Sequence, residues 1–176
     1  MGVSEVGKKV EKEQTYIGGD LINGLPQSNS QSNFTFEFEE NKLKITEVIF
    51  KMFKKNEELQ VFWLDMDKII SIDLITEDNI EEKQKSVVGR GVAGAILFGP
   101  VGAIIGSASG TKSKKTVEKT GVLVFSYYGK DEEDIKTINV SIVSQNIPVA
   151  NKFINYYQIH YVKDTLEQNE NGDIIL

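Results

Sequence analysis

The sequence has no cysteine and only one histidine among its 176 residues. The absence of cysteine excludes disulfide bridges, thiolate metal sites and thiol catalysis together. The single histidine, His160, lies beside Tyr156, Tyr157 and Tyr161 with no nucleophile in its pattern, so a place on a helix surface is expected for it. We therefore predict no catalytic site, no cofactor and no metal site, and the chain is not expected to be an enzyme.

A strong positive charge is also lacking. The formal net charge is -6, which argues against a general attraction to nucleic acid. The stretch Met1–Gln14 has no apolar core of the kind that a secretory signal needs, so we expect a cytoplasmic protein. Any anionic partner must be met by a local group of basic residues.

Short apolar and β-branched runs separated by polar turns are the main pattern of the chain. They predict seven strands, around Leu21–Ile22, Phe34–Phe38, Leu43–Phe53, Leu59–Leu64, Lys68–Ile75, Gly121–Tyr128 and Ile135–Val143. Within Lys68–Ile75 the alternation places Ile70, Ile72 and Leu74 on one face, and Ile69 and Ile75 on the other. Trp63 and the phenylalanines of the strands are predicted to lie in the core.

The last element differs from the others. Asn146 and Pro148 are typical of a helix start, and apolar residues then recur at helical spacing until the polar tail near Glu167. Seven strands followed by one amphipathic helix predict an open, mainly β barrel whose free end the helix covers.

This element order resembles the bacterial pleckstrin-homology-like (PH/GRAM-like) family, together with the Gly24-Leu25-Pro26 step and a long glycine-rich insertion. The resemblance implies a seven-stranded bent barrel capped by a C-terminal α-helix. The missing catalytic set and the glycine-rich insertion with its basic flanks predict a non-catalytic binding or adaptor role. We accordingly divide the chain into a flexible arm (1–15), a PH-like domain (16–167) with an apolar hairpin inserted at 86–115, and a polar tail (168–176).

The insertion is the most unusual part of the sequence, because Gly91–Thr111 contains no charged residue. Its helix-packing or membrane-contacting candidates are Gly91, Gly94, Gly99, Pro100, Gly102, Gly106 and Gly110. One straight helix over this stretch would be about 30 Å long, which is roughly the thickness of a bilayer core. However, six glycines would cost it about 6 kcal/mol relative to alanine, and Pro100 would break it.

Both ends of the insertion must return to the same barrel, so a single membrane span is topologically excluded. We predict a hairpin of two short helical arms, roughly 88–98 and 101–109, with Gly102, Gly106 and Gly110 forming one smooth packing face. Basic residues flank it on both sides, as expected if both ends face an anionic membrane surface: Lys83, Lys85 and Arg90 before it, and Lys112, Lys114 and Lys115 after it.

Three alternatives remain open for this hairpin. It contacts a membrane at the inner face, it packs in a homo-oligomer, or it folds on its own barrel as a flap over a cleft in a soluble ligand-binding or regulatory protein. A protein partner of unknown identity is compatible with each of them. The sequence alone does not choose between these alternatives.

Two further groups of residues resemble binding motifs. Lys51, Lys54 and Lys55 cluster near one strand turn and could meet a phospholipid headgroup as point charges, whereas the uncharged stretch 27–33 argues against specific phosphoinositide recognition. The glycine pattern of residues 89–94 matches a dinucleotide fingerprint, but the strand–helix–strand unit that this motif requires is absent from the predicted elements.

Overall fold

The computed structural model describes residues 13–79 and 120–162, together with two short strands near the C-terminus. Seven strands and one α-helix make up the body of the protein. The strands are β1 (Tyr16–Asn23), β2 (Asn33–Glu39), β3 (Lys42–Ile49), β4 (Glu57–Asp65), β5 (Ile69–Ile75), β6 (Thr120–Tyr128) and β7 (Ile135–Val143). The helix α1 spans Ile147–His160, and β8 (Glu167–Gln168) pairs with β9 (Ile174–Ile175).

All seven strands belong to one antiparallel sheet in the order β4-β3-β2-β1-β7-β6-β5. The strands β4 and β5 are its two edges, joined along the chain by a 3₁₀ turn at Met66–Lys68. The predicted mainly β architecture with a C-terminal helix is confirmed. The predicted end of β3 is wrong, because β3 ends at Ile49 and the residues up to Phe53 lie in a turn.

The sheet is bent until its two halves face each other. In the strand order, β2 and β6 are separated by β1 and β7, a distance of about 14 Å in a flat sheet. Phe36 of β2 nevertheless stacks on Phe125 of β6 with ring centroids 4.5 Å apart. The inward residues of both halves therefore form a single core, as a bent PH-like barrel requires.

The helix α1 covers one end of this core. Its buried side chains are Ala150, Phe153 and Tyr157, and the ring of Phe153 stacks on Phe38 at 4.3 Å. The Tyr157 hydroxyl donates to the Ile69 carbonyl at 3.2 Å. The helix ends at His160, whereas the sequence predicts that it continues to the polar tail near Glu167. Beyond the helix, the Tyr161 hydroxyl donates to the Glu40 carbonyl at 2.8 Å.

The opposite end of the sheet carries connecting loops. Strand pairing places the loop 24–32 and the turn 50–56 at the same end, since each joins neighbours of the antiparallel order β1-β2-β3-β4. The pairing of Asn23 with Asn139 brings the turn 129–134 to that end as well. We call this the loop end of the barrel and the other the helix end.

Two predicted side-chain placements within the sheet are wrong. A register shift between Ile69 and Ser71 turns Ile69 into the core beside Ile72 and Leu74, in place of Ile70. Trp63, predicted to be core, lies on the outer face of the edge strand β4, with 52% of its surface exposed. Its ring is held under the Lys44 ammonium, 5.6 Å from the ring centroid.

Within the described residues, no helix has both the length and the apolar character needed to cross a membrane. The glycine-rich insertion lies outside the described residues.

Candidate functional site

The loop end is organised around a buried carboxylate. Glu47 follows Leu43 and Ile45 on the inward face of β3, opposite Phe34 of β2, and its side chain is fully buried. Both carboxylate oxygens accept hydrogen bonds. The donors are the Ser28 and Asn29 amides at 3.0 Å, the Ser28 hydroxyl at 2.7 Å, the Ser32 hydroxyl and the Gln60 side-chain amide.

These hydrogen bonds decide the ionisation of Glu47. Burial by itself raises the pKa of a carboxyl group, because it penalises the charged form. The donors from Ser32, Ser28, Asn29 and Gln60 outweigh that effect and lower the pKa of Glu47 from 4.5 to about 2. The buried group is therefore a carboxylate at neutral pH, compensated by hydrogen bonds in place of a counter-ion.

The carboxylate fixes the loop 24–32 on the barrel. Gln60 extends the network, since its side-chain amide also donates to the Pro26 carbonyl at 2.9 Å and so links the loop to β4. The amides of Ser28 and Asn29 point at Glu47 and are not available to a phosphate. A negative charge beneath the loop, together with its uncharged sequence, argues against an inositol-phosphate pocket here.

Beside this ordered loop, the turn 50–56 presents apolar side chains to water. Phe50 is 53% exposed, Met52 85% and Phe53 100%. The hairpin below the turn is closed by the pairing of Ile49 with Glu57. Three large apolar side chains at the tip of one turn form an exposed apolar patch, and such patches often mark interaction surfaces.

Phe53 also adopts an unfavourable backbone conformation, with φ at 62°. This left-handed region is common for glycine but costs a bulky side chain about 1–2 kcal/mol. The fully exposed ring gains no packing energy in the folded chain to offset that cost. Such outliers occur preferentially where a residue has a functional role, and burial against a partner would provide the missing gain.

The same turn contains the three lysines noted in the sequence. Lys51 forms an ion pair with Glu57. In the described part of the chain, Lys54 and Lys55 have no carboxylate partner, and both are exposed. Two exposed lysines without an ion pair in the described residues therefore follow the apolar tip. We call residues 50–55 the apolar-basic turn.

His160 and Asp65 both have neighbours that give them a structural role. His160 stacks on Tyr156 at 4.2 Å, and its Nε2 lies 3.6 Å from Glu13. Asp65 forms an ion pair with Lys42 at 3.2 Å. No group of three metal-ligating side chains occurs within the residues that the structure describes.

The candidate residues of the glycine-rich hairpin, Gly91 to Gly110 with Pro100, lie outside the described residues, as do the six basic residues that flank it. Sequence reasoning found the lysines of the apolar-basic turn but missed the exposure of its aromatic residues, which it assigned to a strand. It also missed Glu47, although the alternation of Leu43, Ile45 and Glu47 placed a carboxylate on an apolar face.

A seven-stranded antiparallel sheet bent around one core, with a helix at one end and loops at the other, defines a PH-like domain. Residues 23–158 match the model of a family described as "glycine zipper containing PH domain". The match covers more than half of the 176 residues, so the chain belongs to this family, and the resemblance predicted from its sequence is confirmed.

PH-like domains are generally non-catalytic binding modules, and the match indicates no enzyme family. Comparison with curated proteins and with solved structures gave no match.

Proposed function

We propose that the protein is a non-catalytic binding module that attaches to the surface of an anionic membrane, peripheral to its inner face. The observation that carries the proposal is the apolar-basic turn, in which Phe50, Met52 and Phe53 are exposed beside two unpaired lysines. An apolar tip with basic neighbours suits the boundary between acyl chains and anionic headgroups.

The energies support weak, reversible attachment. Full burial of one Phe or Met side chain is worth about 1.5–3 kcal/mol, and each lysine near an anionic surface adds about 1 kcal/mol. Three partly inserted side chains and two lysines thus contribute several kcal/mol, against the cost of immobilising the protein. The turn has too few apolar groups for permanent anchoring.

The net charge of -6 opposes this attachment only at long range. At physiological salt the Debye length is about 8 Å, so the surface senses mainly the charges close to the contact. A local positive turn on a negative protein also favours one orientation, with the loop end facing the lipid.

The glycine-rich hairpin adds a second contact in this proposal, either to the membrane or to a second copy of the chain. It is supported by the uncharged stretch 91–111 and by basic residues on both sides of it. The two routes, through the turn and through the hairpin, can be separated by mutation.

The test is flotation of the full chain with vesicles of phosphatidylcholine alone or mixed with phosphatidylserine. The wild type should float only with the anionic vesicles. Met52→Ser with Phe53→Gly should weaken binding at least tenfold without unfolding the protein, because glycine accepts the φ of residue 53. Val61→Ser with Trp63→Ser, which removes exposed apolar groups from β4, is the matched control and should bind normally.

A wild type that does not float, or an equal loss in both double variants, contradicts the turn as the contact. A chain lacking residues 91–110 tests for membrane contact through the hairpin. Loss of flotation on this deletion, with normal flotation of the Met52→Ser, Phe53→Gly variant, would place the contact in the hairpin. Self-association through the hairpin predicts a smaller elution size for the deleted chain and unchanged flotation.

One observation favours the alternative of a regulatory protein whose hairpin closes over a cleft. A cleft between β5 and α1 lies where the insertion leaves β5, lined by Asp73 and Asn79 on one side and Asn151, Asn155 and Gln158 on the other. This alternative predicts a monomer that floats with neither kind of vesicle.

A further inference from the structure

The strand β4 lies at one edge of the sheet, and within the described part of the chain it pairs only with β3. Alternate residues of an edge strand direct their N–H and C=O groups away from the paired strand, where a further strand can bind them. Natural proteins usually protect such edges with charged residues or proline. Residues 60–64, which we call the β4 edge, contain neither, so the middle of the strand lacks this protection.

The outer face of the β4 edge presents two apolar side chains to water. Val61 and Trp63 are two residues apart on the same face of the strand, and they are 40% and 52% exposed. The Trp63 ring is also held in place by the Lys44 ammonium. Tryptophan is among the residues that most often dominate binding energy at interfaces, so a strand added here would gain an ordered aromatic contact.

The charges around the β4 edge are mainly negative. Lys44 pairs with Glu39 at 3.0 Å and Lys42 pairs with Asp65 at 3.2 Å, so both local lysines already have a carboxylate partner. Three further acids have no ion pair among the residues that the structure describes: Glu37, Glu40 and Glu58. The hydrogen bond with Glu39 raises the pKa of Lys44, and nearby negative charge adds to that rise. The surroundings therefore favour a basic ligand.

A cleft extends from Trp63 to the turn between β2 and β3, where Glu40 forms part of its wall. The backbone of Glu40 has a φ of 51°, a conformation that glycine and asparagine adopt more readily. Outliers of this kind are found preferentially at functional sites. A carboxylate and an aromatic ring beside the same cleft suit a lysine or arginine side chain.

We propose that an extended, basic peptide segment of a partner protein binds to the β4 edge as an added strand. Its apolar side chains lie beside Val61 and Trp63, and its basic side chains lie beside Glu58 at one end and Glu40 at the other. Alternate residues of an extended chain share a face, so one segment can present both kinds of side chain to the outer surface. Main-chain hydrogen bonds supply affinity, and the side chains supply specificity.

A second copy of the chain is a less suitable occupant of this edge. Antiparallel pairing of two β4 strands about Val61 would set Glu57 of one copy opposite Asp65 of the other, and like charges in opposed positions are unfavourable. The net charge of -6 adds to the repulsion. The inference is independent of membrane attachment, because the β4 edge contains no residue of the apolar-basic turn.

The test is binding of a dye-labelled peptide, Lys-Thr-Val-Thr-Val-Thr-Lys with blocked ends, to the full chain, followed by fluorescence anisotropy. Its lysines and valines share one face, and the order of side chains is the same from either end. It should bind at least tenfold more tightly than the matched peptide with glutamate in place of lysine. Absence of binding by the lysine peptide, or equal binding of both peptides, would overturn the proposal.

Two further measurements locate the peptide. Trp63 is the only tryptophan of the chain, so its emission should change when the unlabelled lysine peptide binds. Only alternate amides of an added strand face the β4 edge, so N-methylation of the valines and N-methylation of the threonines should differ. One form should bind at least tenfold more weakly than the other. Unchanged Trp63 emission, or equal binding of the two methylated forms, would overturn the added strand.

Variants separate this surface from the membrane contact, with native circular dichroism required of each. Val61→Ser with Trp63→Ser should weaken peptide binding at least tenfold and leave flotation unchanged, whereas Met52→Ser with Phe53→Gly should do the reverse. Glu40→Lys with Glu58→Lys should reverse the preference toward the glutamate peptide. Full peptide binding by the Val61, Trp63 variant would overturn the proposal. A dimer of the wild type that this variant abolishes would overturn it in favour of a second copy.

Discussion

Glu47 shows how one residue can order a loop that lies far from it in sequence. Its carboxylate gathers donors from Ser28, Asn29 and Ser32 on one side and from Gln60 on the other. A buried charge without these donors would be strongly destabilising. The conformation of the loop and the charge of Glu47 therefore depend on each other.

Replacing Glu47 with glutamine should destabilise the protein by about 2–3 kcal/mol, because one acceptor oxygen becomes an NH₂ group facing backbone and hydroxyl donors. For a chain of this size that corresponds to a fall in Tm of roughly 4–12 °C. Urea unfolding followed by circular dichroism measures the change. Glu58→Gln on the exposed side of β4 is the control and should change stability by less than about 0.5 kcal/mol.

The same interaction makes stability depend on pH in a defined window. The folded-state pKa of Glu47 is about 2, below its ordinary value of 4.5, so the stabilisation is fully present above pH 4.5 and is lost as the pH falls toward 2. The stability difference between wild type and Glu47→Gln should be constant from pH 7 to 5 and shrink below pH 4.5. A difference that grows on acidification would contradict the ionised, hydrogen-bonded state.

At the scale of elements, α1 closes the core through aromatic packing. Phe153 lies between Phe38, with which it stacks, and Phe125, which it meets edge-on at 6.3 Å. The sequence of the helix is only moderately amphipathic. The position of the helix is fixed by these rings and by the hydrogen bonds of Tyr157 and Tyr161.

Phe153→Ala should therefore cost about 3–5 kcal/mol, since it removes a fully buried ring and leaves a cavity between the helix and the sheet. Chemical denaturation reports the loss. Ile159→Ala, on the exposed side of the same helix, has similar helix propensity effects and should remain near wild-type stability. Comparable losses in both variants would mean that α1 does not close the core in solution.

For the whole molecule, the decisive question is where the glycine-rich segment rests. Gly106→Leu should disturb its docking or association, because a leucine side chain separates backbones that glycine allows to touch. Helix propensity alone predicts the opposite sign, with a gain of roughly 1 kcal/mol.

Size-exclusion chromatography with circular dichroism distinguishes the two effects. A native β signal with altered assembly, or with increased binding of a hydrophobic dye, supports a packing face. An elution profile and dye binding identical to those of the wild type would reject it. Ala108→Leu, a nearby position outside the four-residue glycine spacing, is the comparison variant.

The sequence by itself determined the strands, the terminal helix and the family. Period-two alternation, turn residues and the start signal at Pro148 are local features, and the physics behind them acts over a few residues. The same local rules failed at Phe50–Phe53, where a β-branched and aromatic run continues past the end of β3. Alternation could not show that the chain had already left the sheet.

The tertiary structure alone decided which side chains meet. The donors of Glu47 come from residues 13–19 positions away, and the register shift that turns Ile69 inward depends on pairing with β6. Burial of Val122 and Val124 likewise depends on the tertiary structure and not on a local pattern. Such contacts are set by how the sheet bends, and bending is a property of all seven strands together.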